Sequence, residues 1–170
     1  MQLHMCVAEN AVRWTKREQI HLTLQFLGTV ERDRLGAFQS VLGRISKATK
    51  SFQLRGETIG CFPSSKRPRI IWAGLAGETD LLQKLKQTLD GALGELRYEP
   101  EEREFHPHLT IGRVAKLKTS DARRLEKEIS KFGSAQFGDW PVQDIHLMQS
   151  VLSPKGATYR ILKSFPLKTL

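Results

Sequence analysis

The chain has 170 residues and a mass of 19.3 kDa, which suits one domain or one domain built from two similar lobes. Hydrophobic residues are 39% and charged residues 26% of the chain, a composition that excludes wholesale disorder. The 27 lysines and arginines exceed the 18 aspartates and glutamates, and the net charge of +9 favours anionic partners such as nucleic acid, nucleotides or acidic lipid.

The sequence shows no pattern typical of a membrane span, a signal peptide or a disulfide framework. The longest uncharged apolar run, Ile70–Gly77, is too short to span a bilayer, and the first residues do not resemble a signal peptide. We therefore expect a cytoplasmic protein with no membrane partner. The cysteines Cys6 and Cys61 cannot form a disulfide framework. The sequence allows one bridge between them, but reduced thiols are expected in a cytosolic protein.

Strand and helix patterns alternate along the first half. Gln19–Leu27 alternates apolar and polar residues, which predicts a strand that ends at Gly28. Apolar residues three and four apart predict amphipathic helices at Glu31–Lys47 and Thr79–Leu96. Between the helices the sequence predicts two strands and a turn-rich basic loop: Phe52–Cys61, Pro63–Pro68 and Arg69–Leu75.

The second half has a similar order of elements. Glu104–Val114 predicts a strand, and Ser120–Phe132 predicts a helix with Thr119 or Ser120 as its N-cap. A closing pair of strands and the turn between them follow: Gln143–Val151, Pro154–Gly156 and Ala157–Ser164.

A short motif occurs once in each half. His21–Leu24 reads HLTL and His108–Ile111 reads HLTI, and each lies on a predicted strand that a helix follows. This duplicated strand–helix unit predicts two lobes related by a pseudo-two-fold axis, with the two motif strands facing each other.

The repeated motif carries groups suited to acid–base chemistry. Residues i and i+2 of a strand share a face, so His21 projects with Thr23 and His108 with Thr110. Two imidazoles and two hydroxyls in one cleft suit attack on a phosphodiester. A neutral histidine takes a proton from the nucleophile, a protonated one gives a proton to the leaving oxygen, and the hydroxyls bind phosphate oxygens. The residues alone do not say which histidine is the acid.

Arg113 is a further candidate for phosphate binding. It lies five residues after His108, and this odd spacing would turn it away from the histidine on an ideal strand. A bulge or a strand end is needed to bring the guanidinium into the cleft, where it would hold phosphate by charge-assisted hydrogen bonds.

Other interpretations compete with this one. A single His-x-Thr arises easily by chance on a solvated strand face, whereas two copies with matching flanks do not. The pair His106 and His108 is interrupted by Pro107 and has no cysteine near it in the sequence, which disfavours a metal site. Cys61 is expected to be a small buried hydrophobe, and Trp72 a core aromatic. Phe62 could stack on a base beside the cleft.

Several longer motifs resemble one family. The chain is similar to the 2H phosphoesterases, in particular the RNA 2′,3′-cyclic phosphodiesterases once described as 2′-5′ RNA ligases. The resemblance runs from Val12 to the C-terminus and is carried by four segments in the family's order: His21–Gly28, Gly60–Pro63, Pro68–Gly74 and Pro107–Arg113.

The resemblance implies a fold and an activity. The fold would be α+β and bilobal within a single domain over 1–170, with two pseudo-symmetric antiparallel-sheet lobes, outer helices and a central cleft. The activity would be hydrolysis of 2′,3′-cyclic phosphates on RNA ends or nucleotides to 2′-phosphates, without metal or cofactor. His21 would be the proton donor and His108 the proton acceptor, with Thr23, Thr110 and Arg113 binding phosphate.

The sequence departs from the family at its start. Family members usually begin with an apolar strand and a helix ahead of the segment that matches Val12–Trp14. Here Met1–Ala11 precede that segment and show no such unit. The resemblance therefore predicts that a strand–helix unit is missing from one lobe, and that the exposed sheet edge favours association.

Three functions remain open at this point. The first is a 2′,3′-cyclic phosphodiesterase. The second is a 2′-5′ RNA ligase that uses the same cleft, with the alcohol of a second RNA in place of water. The third is a catalytically weak RNA-binding module. The sequence does not fix the physiological substrate or the oligomeric state.

Overall fold

The structure is a computed structural model that describes residues 11–98, 104–115, 117–153 and 156–169. Cys6, and Pro154 with Lys155 of the predicted hairpin turn, lie outside the described residues. The chain divides into two compact units. The first comprises Met1–Thr23, Arg55–Ala76 and His106–Asp139, and the second comprises Leu24–Leu54, Gly77–Phe105 and Trp140–Leu170.

The described chain combines three helices with antiparallel strand pairs, which is an α+β fold. Short 3₁₀ turns lie at Arg17–Gln19 and Arg32–Arg34. The strands and helices, in chain order, are β1 (Val12–Trp14), α1 (Leu35–Ala48), β2 (Phe52–Phe62), β3 (Ile70–Gly77), α2 (Thr79–Glu95), β4 (His108–Val114), α3 (Thr119–Ser130), β5 (Gln136–Val142), β6 (Asp144–Ser153) and β7 (Gly156–Pro166).

Five strands form one sheet in the order β1-β4-β3-β2-β5, and β4 pairs antiparallel with both of its neighbours. Apolar side chains from one face of this sheet and from α3 form the core of the first unit: Val12, Ile59, Ile71, Leu125 and Ile129. Ile71 and Leu125 are fully buried. Helix α3 has an amphipathic pattern, so it covers this face and leaves the opposite face of the sheet for polar side chains.

The second unit packs α1 against α2 and against the two-stranded β6-β7 sheet. Its buried residues include Phe38 of α1, Leu82 of α2 and Phe165 of β7. Lys86 is also buried, and its ammonium donates hydrogen bonds to both Asp90 carboxylate oxygens at 2.5 and 2.6 Å. This pairing compensates the loss of solvent around the charge.

The predicted helices and most predicted strands are confirmed to within a few residues. The predicted N-cap of α3 is wrong, because the capping position is Lys118, which makes no side-chain cap hydrogen bond. Strands β1 and β5 were not predicted. In the part of the chain that the structure describes, no helix is long and apolar enough to cross a membrane.

The predicted strand Gln19–Leu27 forms only one isolated antiparallel bridge, at Leu22. A strand needs continuous backbone partners, and here side chains bind two of the carbonyl groups instead. The Gln19 carbonyl accepts a hydrogen bond from the His21 ring, and the Phe26 carbonyl accepts one from the Tyr98 hydroxyl. Phe26 is 58% exposed, so the alternating apolar residues do not all reach a core.

The Trp72 indole lies against two glycines. A Cβ added at Gly60 would lie 2.2 Å from Trp72 Cζ2, and one at Gly74 would lie 2.7 Å from Thr58 Oγ1 and 3.4 Å from the indole. No side chain fits at Gly60 unless the indole moves.

We expect Gly60→Ala to destabilise the protein by about 1–3 kcal/mol, because it overpacks the contact with Trp72. Gly91→Ala is the matched control. Gly91 lies inside α2 with open space around its Cα, and alanine there should stabilise the helix by about 0.5–1 kcal/mol. Urea unfolding measures both values. Equal effects of the two substitutions would contradict the packing argument.

Candidate active site

One backbone contact brings the two motifs together. Leu22 and Leu109 form an isolated antiparallel bridge inside the first unit. Because side chains alternate, the histidine and threonine of each motif lie on the other face of this pair. Extended by one residue to each side of the bridge, this register sets His21 opposite Thr110 and Thr23 opposite His108. In a regular antiparallel pair, two residues related as the histidines are would lie on a diagonal of about 7–8 Å.

The pairing of β4 with β3 contains the bulge that the spacing of Arg113 demands. Thr110 pairs with Trp72, but Gly112 pairs with Ile71, so Ile111 has no partner on β3. The extra residue shifts the alternation by one. His108, Thr110 and Arg113 then lie opposite Gly74, Trp72 and Ile70, which share one face of β3. The guanidinium of Arg113 therefore projects from the same face as His108.

Both imidazoles are held in the same way by the main chain. The Nδ1–H of His21 donates to the carbonyl of Gln19 at 2.8 Å, and the Nδ1–H of His108 donates to the carbonyl of His106 at 2.7 Å. A carbonyl only accepts, so Nδ1 of each ring must carry the proton. Nε2 is then the nitrogen that can exchange a proton with a substrate.

The exposure of these groups suits a site that meets solvent. His21, Thr23, His108 and Thr110 are half-buried and Arg113 is exposed. Among the described residues, no three histidine, cysteine, aspartate or glutamate side chains lie close enough to hold a metal ion. The imidazoles, hydroxyls and guanidinium of the site can supply proton transfer and hydrogen bonding to an anion.

A pocket of about 330 Å³ adjoins His108 within the first unit. It has the size of a small-molecule site. Its lining combines aromatic and apolar side chains with a few polar groups: Glu57, Thr58, Phe62, Trp72, Gly74, Leu75, His106, Pro107 and His108.

Aromatic rings form one side of this pocket. The Phe62 ring lies 5.1 Å from the His108 ring, edge to face at 85°, and 5.2 Å from the Trp72 ring at 37°. The prediction that Trp72 is a core aromatic is wrong. Its neighbours Ile71 and Ala73 are buried, so alternation along β3 turns the indole to the polar face. The run Ile70–Gly77 is apolar throughout, so the sequence does not show which face the indole takes.

Cys61 lies apart from the histidines. Its side chain packs against the core beneath α3, as predicted for a small hydrophobe. Burial, with a smaller contribution from the Glu126 carboxylate, raises the pKa of the Cys61 thiol to about 11. The thiolate is the reactive form, so Cys61 is unsuited to act as a nucleophile near neutral pH.

We expect iodoacetamide to label Cys61 of the folded protein at pH 8 at least about a hundredfold more slowly than a free thiol of pKa about 8.5. The rate should rise about tenfold per pH unit up to the thiol pKa. Mass spectrometry of the Cys61 peptide separates this signal from Cys6, and the unfolded protein is the control. Fast labelling of the folded protein at pH 8 would contradict the inference.

Comparisons with known proteins give the family. Residues 4–153 match the family model described as the 2′-5′ RNA ligase superfamily. The chain is 32% identical over 145 residues to an Aeropyrum pernix protein, covering 85% of this chain and 80% of that protein. It is 33% identical over 157 residues to an Archaeoglobus fulgidus protein, covering 92% and 84%. Both relatives are named RNA 2′,3′-cyclic phosphodiesterase.

Solved structures show the same fold. The Thermus thermophilus protein TT0787 aligns with a TM-score of 0.73 at 27% identity, covering 92% of this chain and 82% of that one. E. coli LigT in complex with 3′-AMP aligns with a TM-score of 0.72 at 24% identity, covering 96% and 85%, and shows that the fold is shared. The chain therefore belongs to the 2′-5′ RNA ligase superfamily, the 2H phosphoesterases.

Proposed function

We propose that this protein hydrolyses 2′,3′-cyclic phosphate ends of RNA or nucleotides to 2′-phosphates, with no metal in the reaction. The observation that carries the proposal is the Leu22–Leu109 bridge, since its register gives the two histidines and two threonines one common face. The names of the A. pernix and A. fulgidus relatives support the same substrate.

The proposed mechanism uses each histidine once. Nε2 of neutral His108 takes a proton from water as the water oxygen attacks phosphorus. The bond from phosphorus to O3′ breaks, and Nε2 of protonated His21 gives its proton to O3′. The product carries a 2′-phosphate and a free 3′-hydroxyl. Each positioned proton transfer contributes about 10²–10⁴ in rate.

The remaining groups would stabilise charge on the phosphate. Thr23 and Thr110 lie beside the histidines in the register, and their hydroxyls would donate to the nonbridging oxygens. Arg113 projects from the same face and would add charge-assisted hydrogen bonds. The hydroxyl and guanidinium donors would then stabilise the negative charge that grows on the phosphate oxygens during attack.

The pocket beside His108 would receive the nucleoside. Its aromatic side, formed by Phe62 and Trp72, offers a surface on which a base can stack. Stacking is tolerant of sequence because every base has a flat face. Contact with a base here would place the attached ribose next to His108.

The first test is hydrolysis of the four nucleoside 2′,3′-cyclic monophosphates in EDTA, with the products identified by phosphorus NMR. We expect turnover to 2′-phosphates. His21→Ala and His108→Ala should each lower kcat by about 10²–10⁴ without loss of folding. Full activity of a folded His108→Ala variant would overturn the mechanism. Binding without turnover by the wild-type protein would favour the RNA-binding module.

The ligase alternative has its own measurement. Ligation would join a 2′,3′-cyclic phosphate end to the 5′-hydroxyl of a second RNA, and it runs through the same cleft because an alcohol replaces water. Incubation of the two RNAs, followed by gel analysis for a 2′-5′ linked product, compares the two outcomes directly. Hydrolysis should dominate in dilute solution because water is far in excess.

A second prediction concerns the base. Phe62→Ala should raise KM for nucleoside 2′,3′-cyclic phosphates about tenfold, since stacking contributes about 1–3 kcal/mol per base. A cyclic phosphate with no base, such as glycerol 1,2-cyclic phosphate, should be unaffected. Phe137→Ala is the control, because Phe137 is exposed and lies next to Phe132 of the core beneath α3. An equal effect on the base-free substrate would show that Phe62 only positions His108.

A further inference from the structure

A second arginine lies beside Arg113. In the antiparallel pairing of β1 with β4, Arg13 lies directly opposite Arg113. The residues on either side of Arg13, Val12 and Trp14, pack into the core beneath α3. Arg13 therefore projects from the opposite face of the sheet, which is the face of His108 and Thr110.

The two guanidinium groups start from close positions. Backbone hydrogen bonds join Thr15 to Ile111 at 3.0 Å and Ala115 to Ala11 at 2.9 Å, two residues to each side of this pair. Arg13 and Arg113 therefore form a hydrogen-bonded pair of the ladder, with Cα atoms about 5.5 Å apart. Both side chains are exposed.

This pair of like charges has no compensation within the described chain. Like charges directly opposite each other destabilise a sheet. Neither Arg13 nor Arg113 makes an ion pair or side-chain hydrogen bond with another residue that the structure describes. A ligand that carries more than one phosphate would relieve the repulsion, because each guanidinium can bind one phosphate.

The position of Arg13 indicates which phosphate of such a ligand it would bind. Along β3, the partner of Arg113 lies two residues, or about 6.6 Å, beyond the partner of Thr110. Arg113 lies on β4 with His108, whereas Arg13 lies on β1 at the edge of the sheet, on the same side of β4 as the Leu22 bridge and His21. The charge on the strand of His108 suits the reacting phosphate, and the charge on the edge strand, one strand farther from His108, suits the next phosphate of the same substrate.

We propose that Arg13 binds a second phosphate, the one attached to the 5′ oxygen of the terminal nucleoside. This inference rests on the proposed function. The 5′ phosphate could belong to a phosphodiester of an RNA chain or to a free nucleotide, and both present the same anion to Arg13. The protein would then prefer substrates with a 5′ phosphate to plain nucleoside cyclic phosphates.

Three substrates with the same base test the proposal: a nucleoside 2′,3′-cyclic phosphate, its 5′-phosphorylated form, and a dinucleotide ending in the cyclic phosphate. Arg13→Gln should lower kcat/KM about ten- to hundredfold for substrates that carry a 5′ phosphate, mainly through KM. The rate on the plain nucleoside cyclic phosphate should not change. A loss for the dinucleotide alone identifies an RNA phosphodiester as the natural anion, and a loss for both identifies any 5′ phosphate.

Arg123→Gln is the matched control, since Arg123 is exposed on α3, which covers the other face of the sheet. It removes the same charge and should leave all three rates unchanged. For the dinucleotide, the slope of log KM against the logarithm of the salt concentration should be smaller by about 0.7 in Arg13→Gln than in the wild-type protein. This is the value for one phosphate contact in a single strand. Equal losses on all three substrates, or none, would overturn the proposal.

Binding measurements keep the two proposals apart. If the wild-type protein hydrolyses none of the three substrates, the proposed function fails, and the role of Arg13 is still open to calorimetry. The ligands are then a nucleoside 2′-phosphate and its 5′-phosphorylated form. Tighter binding of the second ligand, lost in Arg13→Gln and kept in Arg123→Gln, supports Arg13 as a phosphate-binding residue. The same affinity for both ligands refutes it.

Discussion

The antiparallel contact of Leu22 with Leu109 is the backbone pairing on which the arrangement of the site depends. It fixes which residues of the two motifs face each other, and its extension sets the imidazole of each motif opposite the hydroxyl of the other. The bulge at Ile111 then brings Arg113 onto the same face. The site thus follows from the register of β4 with the segments on either side of it.

A main-chain carbonyl orients each imidazole. A carbonyl has no proton to lose or gain in the ordinary pH range, so the hydrogen bond that sets the tautomer of each ring does not depend on the ionisation of its acceptor. The same hydrogen bond occurs at His21 and His108, two residues back along the chain in each case. A proton donor and a proton acceptor can therefore be built from one local structure, used twice.

Much of the fold could be predicted from periodicity, because α1, α2 and α3 bury apolar faces with a regular repeat. The segment Gln19–Leu27 could not, since its alternation is that of a strand but its carbonyls bind the side chains of His21 and Tyr98. The histidines and threonines were evident from the repeated motif. The spacing of Arg113 from His108 predicts a bulge between them. It does not predict that the bulge lies at Ile111, because the position of a bulge depends on the partner strand.

The role of Trp72 was harder to predict, because a tryptophan between buried residues usually indicates a core. The glycines at positions 60 and 74 decide the matter, since they leave room for the indole to lie flat on the sheet. That packing also holds the indole in one orientation before any ligand arrives. A flat ligand that stacks on the indole would therefore cause little further loss of side-chain conformational entropy. Such a loss otherwise opposes binding by about 0.5–1.5 kcal/mol per ordered side chain.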